Sequence, residues 1–270
     1  IRIKINEEDT GTRSVINSVT FRLVANGEIR HFDGVSTAFL PIYQKMADNY
    51  QTSYLRNLPE LPARMLIVSH NTLANLSYFT DWKNERGIAT EVVMFSDLGT
   101  TNADIKNYIL ELYETEEHPP DYLLLIGDVD GDFTIPSYYI VSVNDNNVAD
   151  HPYTLLEGED YLPEMIVGRM SIDSQDDFNT IISNVVYYEK TPYMDDPEWF
   201  ENILLAAGNF ADTDPQPTTP VTTMMWLKEK VEEYGYDDIT EVYFWPDEGY
   251  INYPGTDDVM SAIDDGVGIV

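Results

Sequence analysis

Residues 119–171 read PPDYLLLIGDVDGDFTIPSYYIVSVNDNNVADHPYTLLEGEDYLPEMIVGRMS. Tyr122-Leu123-Leu124-Leu125-Ile126 is an unbroken apolar run of strand length that stops at Gly127-Asp128, the pattern of a strand buried on both faces of a parallel sheet. Such a strand delivers its following loop to the carboxyl edge of the sheet, where open α/β sheets bind ligands. A loop studded with Pro and Asp follows. Then come Gly158-Glu159-Asp160-Tyr161-Leu162-Pro163-Glu164 and a second apolar run, Met165-Ile166-Val167-Gly168-Arg169. Two sheet strands thus bracket a long acidic loop.

Outward from this stretch, the pattern on the amino side is βαβ. Met65-Leu66-Ile67-Val68 is a buried strand, Asn71 or Thr72 is placed to cap a helix running to about Arg86, and Gly87 ends it. Ala89 to Phe95 is the next strand, and Thr101-Asn102 or Asn102-Ala103-Asp104 opens a helix carrying Ile105, Tyr108, Ile109, Leu112 and Tyr113 on one face. Right-handed crossovers then build a parallel sheet. On the carboxyl side a helix from about Ser174 to Tyr188 has Phe178, Ile181, Ile182, Val185 and Val186 as its stripe. Thr191-Pro192 through Pro197 marks a boundary, and a second strand–loop–helix series begins at Asn202. It continues with a helix from about Val221, a strand at Glu241–Phe244, a helix at Asp257–Asp264 and an opening strand at Gly266–Val270. A domain does not normally end on an uncapped buried strand, so the chain is expected to be a fragment.

Residues 1–62 differ in character. Ser18 to Val24 alternates, Asn26-Gly27 is a hairpin signal and Glu28 to Phe32 is a return strand. Ile42, Met46 and Tyr50 have helical spacing before Pro59 and Pro62 break the chain. The expected organisation is a β-rich segment and linker at 1–62, an α/β subdomain at 63–195 and an incomplete second α/β subdomain at 196–270.

Composition narrows the function. The 270 residues carry 48 acidic against 15 basic groups, a formal net charge of −33, which disfavours nucleic acid and anionic membrane as partners. The charge serves either as a solvated coat or in calcium binding, since hard cations take carboxylate oxygens. No apolar run has the length of a membrane span, and no basic-then-apolar leader opens the chain. Cysteine is absent, which excludes disulfides, thiolate metal sites and a thiol nucleophile within these residues. His31, His70, His118 and His151 are scattered without metal-ligand spacing, and neither glycine-rich nucleotide motif occurs. Asp128, Asp130 and Asp132 alternate as calcium loops do, yet Tyr139 stands where an EF-hand needs its bidentate Glu.

Four elements in order carry a resemblance: Leu124–Asp128, Asp150-His151-Pro152-Tyr153, Gly158–Glu164 and Ile166–Ser171. They resemble the Leu-Leu-Ile-Gly-Asp, Asp-x-x-Tyr, Gly-x-Asp-x-x-Pro-Glu and Gly-Arg-x-Ser segments of the gingipain-type cysteine peptidases. Trp82-Lys83 and Gly87 are similar to the same family's first helix end. The resemblance covers roughly residues 63–270 and implies a caspase-like α/β fold and a secreted or cell-surface endopeptidase acting on protein or peptide substrates. It also implies a catalytic His and Cys beyond Val270, so that the remainder of the peptidase domain is the chain's partner and these residues alone are inactive. In Arg-specific members the Asp of Asp-x-x-Tyr receives the basic side chain before the scissile bond. Asp150 is therefore either the base of such a pocket or a loop-capping residue, with His151-Pro152 replacing the family's polar pair. Arg56 or Arg64 is either near a processing point or an ordinary linker residue. The alternative for the whole is a non-catalytic caspase-fold binding or scaffolding domain, with or without calcium.

Overall fold

The computed structural model describes residues 34–46, 54–71, 73–141, 146–208, 220–243 and 256–270. The hairpin expected at 18–32 lies outside them. The chain forms two compact units, Ile1–Tyr187 and Tyr188–Val270, so the division falls within a helix, a few residues before the expected boundary.

The first unit is built on four parallel strands: β3 (Arg64–Ser69), β4 (Ala89–Met94), β5 (Tyr122–Ile126) and β8 (Ile166–Met170), in the order β4-β3-β5-β8. β5 is central because its residues are apolar throughout. Leu123 and Leu125 face one side and Ile126 the other, as the two-residue period of a strand requires. Leu66, Val68, Leu123 and Leu125 pack with Ile105 and Ile109 of α4 (Asn102–Thr115). On the opposite face Ile67 and Ile126 meet Phe79 of α2 (Leu76–Glu85) and Phe178, Ile182 and Val186 of α5 (Gln175–Lys190). The stripe read from the sequence of α5 is the one that is buried. Helices on both faces follow from the strand order, since right-handed crossovers to opposite sides of β3 must use opposite faces.

Local chemistry sets the helix ends. Thr101 accepts the Asp104 N–H while the Asp104 carboxylate accepts the Thr101 N–H at 2.9 Å, a reciprocal capping box. Ser174 and Asp177 begin α5 with a similar exchange: the Asp177 N–H reaches Ser174 Oγ, and Ser174 Oγ donates to Asp177. α2 begins later than expected. Asn71 turns its amide oxygen to the Ser96 N–H at 3.0 Å, and the helix starts only after Asn75, which takes φ 65°.

Two further features were not expected. The loop between β5 and β8 contains an antiparallel hairpin, β6 (Tyr138–Val141) with β7 (Asn146–Ala149). Upstream, β1 (Val35–Ser36) pairs in parallel with β2 (Glu60–Leu61). A short helix, α1 (Leu40–Met46), follows β1. A Cβ on Gly34 would sit 2.5 Å from Leu61, so this upstream segment is in close contact with the chain that enters the sheet. Arg64 is no accessible processing point. It opens β3, and its guanidinium pairs with Glu116 and Glu91.

In the second unit β9 (Asn202–Ala207) pairs in parallel with β10 (Asp238–Tyr243). Leu204, Val242 and Ala262 of α7 (Thr256–Asp265) form its core, while α6 (Pro220–Glu233) buries Val221. Where an opening strand was expected at Gly266–Val270, the residues run beside β9 through an isolated bridge of Ile269 with Ile203: Gly268 N–H donates to Asn202 O and Leu204 N–H to Ile269 O.

These layers assign a cost to two substitutions. Leu125→Ala removes a fully buried side chain from the central strand and is expected to lower unfolding free energy by about 3 kcal/mol. Thr101→Ala removes only a cap and is expected to cost about 1 kcal/mol. Urea unfolding followed by circular dichroism gives both, and equal costs would contradict the central placement of β5.

Candidate functional site

The carboxyl ends of β5 and β8 lie side by side, and one side chain organises what surrounds them. Arg169, on β8, donates from Nη1 to Gly127 O and Ile135 O, both at 2.9 Å. Its Nε and Nη2 donate to Asp150 Oδ2 and Oδ1 at 2.8 and 2.7 Å. Ser137 Oγ donates to Asp150 Oδ1 at 2.7 Å. The guanidinium therefore ties the strand end, the 128–137 loop and the turn after β7 into one network. Both charged side chains are largely buried, at 10% and 16% exposure, where a bidentate pair is effective only if its other hydrogen bonds are also made.

Burial by itself would raise the Asp150 carboxyl pKa. The Arg169 and Ser137 hydrogen bonds and the Arg169 charge outweigh that and hold it below its ordinary value. Asp150 thus has a guanidinium, and it is the chain's own. Its side chain makes no capping hydrogen bond to the 3₁₀ turn His151–Thr154, so neither reading of Asp150 from the sequence describes its main contact.

The turn is fixed from several directions. Lys106 on α4 donates from Nζ to Pro152 O and Leu155 O at 2.6 Å and to Tyr153 O at 3.3 Å. Glu164 accepts the Leu156 N–H at 2.6 Å and the Glu157 N–H at 3.2 Å, so it holds the next residues by their donors. Tyr153 is fully buried, stands edge-on to Tyr138 at 5.0 Å and donates its hydroxyl to Pro136 O; burial pushes its pKa up.

Gly127 is required where it stands. It has φ 151°, and a Cβ there would lie 2.4 Å from Phe133 O. The loop folds back at this point, with Asp128 N–H donating to Phe133 O and Ile135 N–H to Asp128 O. Asp128 accepts from Ser171 Oγ at 2.6 Å and from the Val129 N–H at 2.8 Å, contacts that lower its pKa. Asp130 and Asp132 are exposed on the loop. The three are not brought together: among the described residues no group of three or more His, Cys, Asp or Glu side chains is arranged to hold a metal ion. The calcium reading thus finds no fit in this ladder, because its first member is committed to Ser171 and to backbone.

His70 directly follows β3, donates its N–H to Ile126 O and tilts against the Phe133 ring at 5.1 Å; burial lowers its pKa. His118 lends its carbonyl to Arg64, and His151 begins the 3₁₀ turn. His31 lies outside the described residues. Sequence reasoning missed Arg169, Lys106 and Ser137 as site residues. The available signal was scarcity: the chain has 15 basic residues, and Arg169 falls in the Gly-Arg strand and Lys106 on the helix packed beside it.

The parallel sheet covered by helices on both faces is the caspase-like α/β fold of the solved gingipains. Residues 58–270 match peptidase family C25, and the chain belongs to that family. Gingipain R2 of Porphyromonas gingivalis is 27% identical over 212 residues, covering 77% of this chain and 28% of that protein. Lys-gingipain of the same organism is 30% identical over 221 residues, covering 77% of this chain and 11% of that protein. The solved Arg-specific cysteine proteinase gingipain R shares the fold with a TM-score of 0.64 at 24% identity, over 76% of this chain and 45% of that one. A further solved protease superimposes with a TM-score of 0.60 at 29% identity, over 84% of this chain and 46% of that one. The chain spans about a quarter of the length of gingipain R2.

The geometry predicts how the site responds to acid and to mutation. The Asp150 pKa is depressed on folding. Its stabilisation is therefore complete above the unfolded carboxylate's value of about 3.9 and is lost as pH falls through the lower folded value. Arg169→Met leaves that carboxylate without its cation and is expected to cost about 3 kcal/mol at pH 7. In Arg169→Met/Asp150→Asn the costs should fall short of additivity. Thermal melts at pH 7 and pH 3 check this: a variant as stable as the parent at pH 7 would show that the pair holds nothing together.

Proposed function

We propose that the protein containing this chain hydrolyses peptide bonds in protein substrates through a cysteine thiolate, and that it acts outside the cell. What supports the reading is the family match over residues 58–270 together with the intact strand-end network at Gly127, Asp150 and Arg169. These 270 residues contain no cysteine, so on this reading the nucleophile is contributed by residues outside them. Their own role is to supply the first sheet and, at the carboxyl edge of β5 and β8, a rigid wall in which Arg169 holds Gly127 O, Ile135 O and the Asp150 carboxylate together.

Selectivity for a basic residue before the scissile bond would require Asp150 to accept a second cation beside Arg169. Arg169 and Ser137 occupy three of the roughly four acceptor positions of the Asp150 carboxylate, and Arg169 balances its charge. A substrate guanidinium would have to share this network rather than meet an unpaired carboxylate. Asp150→Asn is thus expected to lower both stability and turnover, where an open pocket would lose turnover alone.

The experiment is a peptidase assay on the longer protein and on this chain. The longer protein should cleave fluorogenic peptides and lose that activity after alkylation with iodoacetamide, while the 270-residue chain shows no turnover. An unmodified longer protein that is folded yet inert towards peptides would favour the non-catalytic scaffolding reading. Activity that survives alkylation would rule out the thiolate.

A further inference from the structure

At the amino ends of β3 and β5 lies a cleft of about 420 Å³, within the range of small-ligand sites. It is at the other end of β5 from Asp150, roughly 17 Å away by the rise of a five-residue strand. Part of its wall comes from the segment ahead of the family-matched region. Phe39 and Tyr43 stack at 6.3 Å on one side, Tyr113 of α4 adds a third ring, and Pro62, Pro119 and Pro120 supply flat aliphatic surface.

The polar lining has one predominant sign. Asp121, Glu117, Glu157 and Glu164 line the cleft with Arg64 and His118; Glu157 accepts the Tyr113 hydroxyl at 3.0 Å, and one oxygen of Glu164 accepts the Leu156 and Glu157 amides. Arg64 is already committed, with Nη1 donating to Glu116 and to His118 O and Nη2 to Glu91 at 3.4 Å. Asp121 is 8% exposed and accepts the Arg64 N–H at 2.8 Å; burial raises its pKa, against the hydrogen bonds from Arg64 and Ser36. An anion entering this cleft would meet four carboxylates. A neutral apolar ligand would strip their water without replacing it, which is unfavourable. A cation on an aliphatic stem meets both needs, because ring faces attract cations, carboxylates accept their hydrogen bonds and prolines cover the stem.

We propose that this cleft binds an alkyl guanidinium or ammonium group, carried either by a basic peptide side chain or by a free amine. It is a second ligand site in addition to the peptidase reading, and it does not depend on that reading.

The test uses the 270-residue chain and three probes: N-acetyl-arginine amide, agmatine, and the neutral isostere N-acetyl-citrulline amide. In titrations followed by NMR, a charged probe should bind about tenfold more tightly than citrulline and weaken with salt. The rings of Phe39, Tyr43 and Tyr113 should shift. Glu117→Gln/Glu157→Gln alters two exposed side chains and should leave the melting temperature unchanged while weakening the charged probe about fivefold. The tighter of the two charged probes identifies the source, peptide or free amine. The proposal is overturned by equal affinity for citrulline, by no binding of either cation below about 10 mM, or by shifts confined to residues around Asp150 and Arg169. A failed peptidase assay would leave these outcomes unchanged.

Discussion

Arg169 donates four hydrogen bonds, to Gly127 O, Ile135 O and both oxygens of Asp150, and the carboxyl edge of the first sheet takes its shape from them. A planar guanidinium with a fixed fork of donors can serve two carbonyls and a carboxylate at once, which a lysine could not do with the same geometry. The arrangement places a strand end, a folded-back loop and a turn around one cation. Because the pair is largely buried, removing either partner leaves an uncompensated charge, so the network forms as a unit.

The same device recurs elsewhere in the first unit. Lys106 gathers three carbonyls of the 152–155 turn, and Arg64 joins the Glu116 and Glu91 side chains to the His118 carbonyl at the start of β3. In a chain with a formal charge of −33, these basic side chains are drawn inward to collect backbone oxygens and carboxylates, while Asp130, Asp132 and most other acidic residues stay in water. The acidity of the surface and the cationic ties within it are two sides of one distribution. Repulsion among surface carboxylates is tolerated because the tertiary contacts that matter are held by apolar packing and by a few well-placed cations.

The two ends of β5 consequently have different chemistry. At its carboxyl end the charges are balanced and hydrogen-bonded into backbone, which suits a rigid wall. At its amino end the carboxylates outnumber the one committed guanidinium and stand against aromatic and proline surface. The upstream strand β1 and its following residues contribute to that second surface, so the segment ahead of the family-matched region takes part in the fold of the unit.

Apolar periodicity determined the element order. The all-apolar run 122–126 had to be a central strand and the stripe from Phe178 to Val186 had to be one helix face, because each pattern has one low-energy way to bury its groups. The four ordered motifs also placed the chain in its peptidase family. Tertiary structure decided the partners. The sequence shows Asp150 and Arg169 nineteen positions apart and Lys106 on another helix, with nothing local to say which carboxylate or carbonyl each cation reaches. It likewise offered Asp128, Asp130 and Asp132 as a ladder of ligands, while the fold gave the first to Ser171 and turned the other two to solvent. Periodicity is a property of neighbours along the chain, whereas the pairing of charges depends on distances that exist only once β5 and β8 lie side by side.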